Sequence, residues 1–196
     1  QPERKERMRL RRKLQRLTNP ASTFMDFQQD HFTLFRLPRR FSIDAAELDQ
    51  RYREMQAQVH PDRHAHLGDT EKRLAMQWST RVNEAYQTLK KPLPRAEYLL
   101  KLLGVDVHLE RAMPTDFLVQ QMEWREAVAE AGSAGDESEL ETLHRRIRKE
   151  MKSQYEELEK LLDAGNAVAA AGQTRQLMFQ EKLLKEVDEA LAGLEA

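Results

Sequence analysis

Residues 58–69, QVHPDRHAHLGD, hold three histidines, His60, His64 and His66, with Asp62 among them. Imidazoles and a carboxylate this close suggest two chemistries. The first is metal binding, with His31 as a distant fourth ligand. His64 and His66, however, are two positions apart, and on a helix that places them on opposite sides. Catalytic zinc draws its pair from one face, as in H-E-x-x-H. The second chemistry is general-base catalysis by His60 with Asp62 orienting it. The sequence offers no partner nucleophile and no Gly-rich phosphate loop, and a small helical hairpin lacks the concave pocket a substrate needs. No metal ligand, no catalytic residue and no cofactor are expected.

A third reading takes His60, Pro61 and Asp62 as a unit. Proline stiffens the backbone where a helix ends, so the flanking polar side chains stand on a rigid, exposed turn that loses little entropy when it docks. Arg51 and Arg53 precede the turn and Arg63 follows it, a cationic flank suited to an acidic partner. An ordinary helix–helix turn with incidental charges is the alternative, and the tripeptide alone does not choose between them.

The elements that must hold this turn are helical. A third of the 196 residues are charged, only seven are Gly and seven Pro, and the net charge is -1. That balance favours exposed helices over strands and creates no global field for nucleic acid or a membrane surface. With no cysteine, the chain forms no disulfide and supplies no thiolate, in keeping with a reducing cytoplasm. No apolar run approaches the roughly 20 residues needed to cross a bilayer. Residues 1–24 are basic but interrupted by Glu3 and Glu6 and followed by no signal-peptide core. They are read as a solvated extension, added or upstream, with a domain starting near Met25.

HFTLFRL (31–37) should make two helical turns. From a cap at Ser42 or Asp44, a helix carries Leu48, Tyr52, Met55 and Val59 at helical spacing and must stop at or before His60, because Pro61 cannot continue it. A second long helix, 70–89, aligns Leu74, Trp78, Val82, Ala85 and Leu89, and RAEYLLKLL follows as a short closing helix. After a connector at 105–114, three helices follow, separated by AGSAG (131–135) and AGNA (164–167) and expected to pack antiparallel. Their stripes are Phe117, Gln121, Trp124 and Val128; Leu140, Leu143, Ile147, Met151, Leu158 and Leu161; and Leu177, Leu184, Val187, Leu191 and Leu194. The first of them has a further face: Leu118, Val119 and Met122, with Glu123 and Glu126 beside them. A bundle helix needs one buried stripe, so this surface is either a wider core contact or a binding patch.

A short helix, a helix bearing arginines, HPD, a long helix containing NEAYQTL and a closing helix together resemble a J-domain. No Gly/Phe-rich linker or Cys-rich zinc region follows. Instead HFTLFRLP, PLPRAEYLL and FLVQQMEWRE make the chain, from about residue 29 onward, similar to the HscB family, the J-type co-chaperones of iron–sulfur cluster assembly, in their bacterial form. The resemblance implies an all-α fold: a J-domain at 25–104, an antiparallel hairpin with short flanking helices, then a connector at 105–114 and a three-helix bundle at 115–196. It implies that His60, Pro61 and Asp62, supported by Arg51, Arg53 and Arg63, engage a DnaK-type chaperone and stimulate its ATPase. Leu118, Val119, Met122, Glu123, Glu126 and Phe179 would bind the iron–sulfur scaffold protein. Val119 and Met122 stand where family members also carry Leu or Met, a mild departure. His64 and His66 match no part of the motif. The protein would be a cytoplasmic adaptor with no enzymatic activity of its own.

Overall fold

In the computed structural model the described residues are 27–60, 68–109 and 112–194, together with Met8. They form seven helices and no strand: α1 (His31–Leu34), α2 (Ala45–Val59), α3 (Asp69–Lys90), α4 (Pro92–Leu102), α5 (Thr115–Ala134), α6 (Glu137–Asp163) and α7 (Ala167–Leu194). The chain divides into two compact units, Gln1–Lys91 and Pro92–Ala196. The all-α expectation holds.

In the first unit the helix ends follow local chemistry. Asp44 caps α2, its carboxylate accepting from the backbone N–H groups of Ala46 and Glu47. At the far end His60 adopts φ -58°, ψ 127°, the extended conformation imposed on a residue before proline. Its N–H still closes the last turn on the Gln56 carbonyl at 2.9 Å. Helices α2 and α3 pack together over a core of Leu48, Met55, Val59, Trp78, Val82, Ala85 and Leu89. Ala75, rather than the half-buried Leu74, fills the N-terminal level of the α3 stripe.

Helix α1 is one turn long, too short to persist by propensity; buried Phe32 and Leu34 and the cap Asp30 anchor it. One Asp30 oxygen accepts from the Thr33 N–H at 3.0 Å. The other accepts from the Thr33 hydroxyl at 2.7 Å and from Arg39 Nε and Nη2 at 3.1 and 2.5 Å. Burial pushes this carboxyl up, but the bonds from Thr33 and Arg39 outweigh it and hold the group below the usual aspartate range. A depressed folded-state pKa contributes stability above the unfolded value and loses it as pH falls through the folded one. The first unit should therefore weaken below about pH 4. Asp30→Asn should flatten that acid limb and cost about 1–2 kcal/mol at pH 7, the worth of a cap and a charge-assisted bond. Urea titrations of both forms between pH 3 and 7 check this; parallel curves would show that Asp30 is not the titrating group.

In the second unit α5, α6 and α7 form the bundle. Gly135 and Gly165 sit at φ 68° and 71°, left-handed turns that terminate α5 and α6 at little cost only because glycine lacks a Cβ. Asp136 then caps α6 through the Glu139 N–H. Consecutive helices run antiparallel, while the first and third run parallel, as the pairs Phe117–Phe179 and Arg125–Glu186 show. On α7 the buried stripe runs through Leu177, Leu183 and Val187, with Leu184 only half-buried and Leu194 exposed. Helix α4 begins on Pro92, where a missing N–H costs nothing, and packs on α7. The sequence expectation carries this helix in the J-domain at 25–104; by its packing it sorts with the second unit.

Candidate docking sites

Polar clamps cross the α2–α3 hairpin of the first unit. The Tyr86 hydroxyl donates to Asp49 at 2.7 Å and accepts from Lys90 at 2.8 Å. The Tyr52 hydroxyl donates to the Asn83 side-chain oxygen at 2.8 Å, and Gln56 donates to the same oxygen. The rings of Tyr52 and Tyr86 stack with centroids 3.9 Å apart. Two residues of NEAYQTL, Asn83 and Tyr86, thus fix α3 against α2 and steady the end of α2 that carries His60. Reading Tyr52 as plain core missed this; a hydroxyl on a half-buried position, facing Asn83 across the hairpin, was the available signal.

The candidate chaperone-binding residues are placed unevenly. His60 is exposed at the end of α2. Pro61, Asp62, Arg63, His64 and His66 lie outside the described residues. Arg51 pairs within its own helix, at 3.3 Å to Glu47 and 3.9 Å to Glu54, whereas Arg53 is exposed. Two positions apart, these arginines point about 200° from one another. No single face presents both, and two carboxylates already balance Arg51.

The second site is apolar and exposed. Phe117, Gln121, Trp124 and Val128 are buried, as their stripe requires. Leu118, Val119, Met122 and Phe179 remain 40%, 49%, 71% and 40% exposed, so the further face of α5 is no wider core contact. Glu123 and Glu126 are exposed beside it, and exposed Glu130 extends the acidic edge one turn further. The seam between α5 and α7 brings Phe179 to this face. Arg125 on α5 meets Glu186 on α7 at 3.1 Å. Leu118 and Phe179 each lie seven residues earlier, which at 100° per residue is the same flank of each helix within about 20°. Phe179 also packs edge-on against buried Phe117, centroids 6.3 Å apart at 85°. Leu118, Met122 and Phe179 therefore share one seam, with Val119 at its outer margin.

No group of three His, Asp or Glu among the described residues could hold a metal ion. None of the described helices is long and apolar enough to cross a membrane.

Known proteins share this arrangement. A family model for the DnaJ domain matches residues 30–98, and one for the HSCB C-terminal oligomerisation domain matches 113–188. The co-chaperone protein HscB homolog of Aromatoleum aromaticum is 55% identical over 174 residues, covering 87% of this chain and 98% of its own. The chain belongs to the HscB family of co-chaperones. The homolog from Ralstonia nicotianae is 51% identical over 84% of this chain and 96% of its own. Among solved structures, the chaperone HscB from Vibrio cholerae superposes with a TM-score of 0.77 at 34% identity, over 85% of this chain and 99% of that one. Human co-chaperone protein HscB gives 0.80 at 29% identity, over 84% and 83%. The J-domain match ends inside α4.

Proposed function

We propose that this HscB-family co-chaperone is a two-site adaptor for iron–sulfur cluster assembly. Its J-domain recruits a DnaK-type chaperone through His60, Pro61 and Asp62, with Arg53 and Arg63 as the main cationic supports and Arg51 contributing less. Its bundle binds the iron–sulfur scaffold protein at Leu118, Val119, Met122 and Phe179, with Glu123 and Glu126 meeting basic groups on the rim. Covalent chemistry belongs to the chaperone, which hydrolyses ATP while the adaptor holds chaperone and scaffold together. Tethering raises their effective concentration without any new contact between them. The reading includes action in the cytoplasm, with which a sequence free of cysteine agrees.

The observation that carries this reading is the exposed apolar strip at the α5–α7 seam, in a different unit from the His60 turn. Chaperone ATPase rates measured with the adaptor, with the scaffold and with both should show joint stimulation exceeding the product of the separate effects. Simple multiplication of the two would leave a J-protein without this client.

A further inference from the structure

Helix α5 carries one cation, Arg125, among the acids Asp116, Glu123, Glu126 and Glu130. Along a helix an arginine pairs with carboxylates three or four positions away. Around Arg125 those positions hold Gln121, Met122, Val128 and Ala129, so α5 itself offers it no partner. The guanidinium reaches across the seam instead. Its Nε donates to Glu186 Oε2 of α7 at 3.1 Å, with both side chains 35% exposed. Glu186 has a cation one turn earlier on its own helix, Lys182, yet among the described residues it pairs with Arg125. Both partners thus bond across the seam rather than along their helices.

The pair is met in one alignment of α5 and α7. Sliding α7 by one turn would set Arg125 beside Lys182 or Ala190, a like charge or a methyl group in place of a carboxylate. Polar contacts of this kind specify register where apolar contact is less selective. Towards the C-terminal ends, Gly132 lets the two helices close: a Cβ there would stand 3.8 Å from the Cβ of Ala190. The seam is therefore narrow at Gly132, pinned at Arg125 and edged by Leu118 and Phe179, two turns or about 10.5 Å before the pair. The exposed strip takes Leu118 and Met122 from α5 but Phe179 from α7. A slide of one turn would displace one part from the other by about 5.4 Å.

We infer that Arg125 and Glu186 are positioning residues, an ion pair that holds α5 and α7 in the alignment where Leu118, Met122 and Phe179 form one surface. The consequence for binding rests on the scaffold-binding reading; the alignment itself does not. The test, in the full chain, takes Arg125→Gln, Glu186→Gln, the two together, and the charge-swapped Arg125→Glu with Glu186→Arg. Asp188→Asn is the control. Asp188 meets His144 of α6 at 3.2 Å and, two positions from Glu186, points about 200° away from it, so it bridges helices without touching the strip. Each single change at the seam should weaken scaffold affinity about three- to fivefold. The double glutamine variant should be no worse than either, and the swap should restore wild-type affinity. Melting should fall by no more than about 5 °C throughout. In the free protein the Met122 methyl and Phe179 ring resonances should shift in both single variants and recover in the swap, while Asp188→Asn should change neither them nor the affinity. Single variants that bind as wild type, losses that simply add, a swap that restores nothing, or an equal loss in Asp188→Asn would each overturn the inference. A wild type that binds no scaffold overturns the function reading instead, and recovery of the two resonances in the swap then decides the alignment.

Discussion

His60→Gln should abolish stimulation of the chaperone's ATPase while leaving scaffold affinity unchanged. The substitution is mild for the fold. His60 is exposed, its backbone is set by the following proline, and its N–H bond to Gln56 is a main-chain interaction that any residue other than proline retains. Glutamine accepts the same extended conformation, so the cost to folding should stay within about 0.5 kcal/mol. The clamps through Asp49, Tyr52, Asn83 and Tyr86 lie along the hairpin and do not use the imidazole. The functional cost should be that of an interface hot spot, at least about 2 kcal/mol or roughly 30-fold in chaperone engagement. Steady-state ATPase assays with increasing adaptor, beside calorimetric titration of the scaffold, read the two sites separately. Equal loss of both activities in a variant with wild-type melting would sink the two-site scheme.

How much of this was legible in the sequence depends on the kind of signal. Punctuation was readable: Pro61 stops α2 at Val59, Asp44 caps it, and Pro92 separates α3 from α4 because proline geometry acts through immediate neighbours. Periodicity was readable to within one position. The α7 stripe passes through Leu183 rather than Leu184, because that helix packs against α4, α5 and α6 and buries a face wider than one stripe. That α4 packs on α7 was not legible, since the partner of a helix of 11 residues is a tertiary choice. At the candidate sites, the separate face of α5 was visible in the spacing, but its exposure was not. A lone helix cannot tell which of two apolar stripes finds a partner. Phe179 entered only by resemblance, and the seam that aligns it with Leu118 depends on a parallel register between helices separated by the whole of α6.

The double change Leu118→Ala with Phe179→Ala should produce the opposite separation: scaffold binding weakened about 100-fold or more, and basal chaperone stimulation retained. Each side chain is 40% exposed, so each has apolar surface left to bury, worth about 25 cal/mol per Å². An aromatic anchor beside a leucine, edged by Glu123 and Glu126, has the composition of a small interface core with a charged rim. Truncating both removes the centre of that patch; the losses need not add, but either alone should exceed 1 kcal/mol. The bundle should survive. Phe179 gives up its edge-on contact with Phe117, about 0.5–1.5 kcal/mol, while buried Leu177, Leu183 and Val187 keep α7 seated. Val168→Ala is the matched control, because Val168 is 73% exposed on the same helix and lies 11 residues before Phe179, on the same flank but about three turns away along the axis. Calorimetry should find wild-type affinity for the control. If the double variant bound within twofold of wild type, the strip at the α5–α7 seam would not be the scaffold site, however exposed it is; if the control lost as much, the surface would extend along α7 and the seam would not define it.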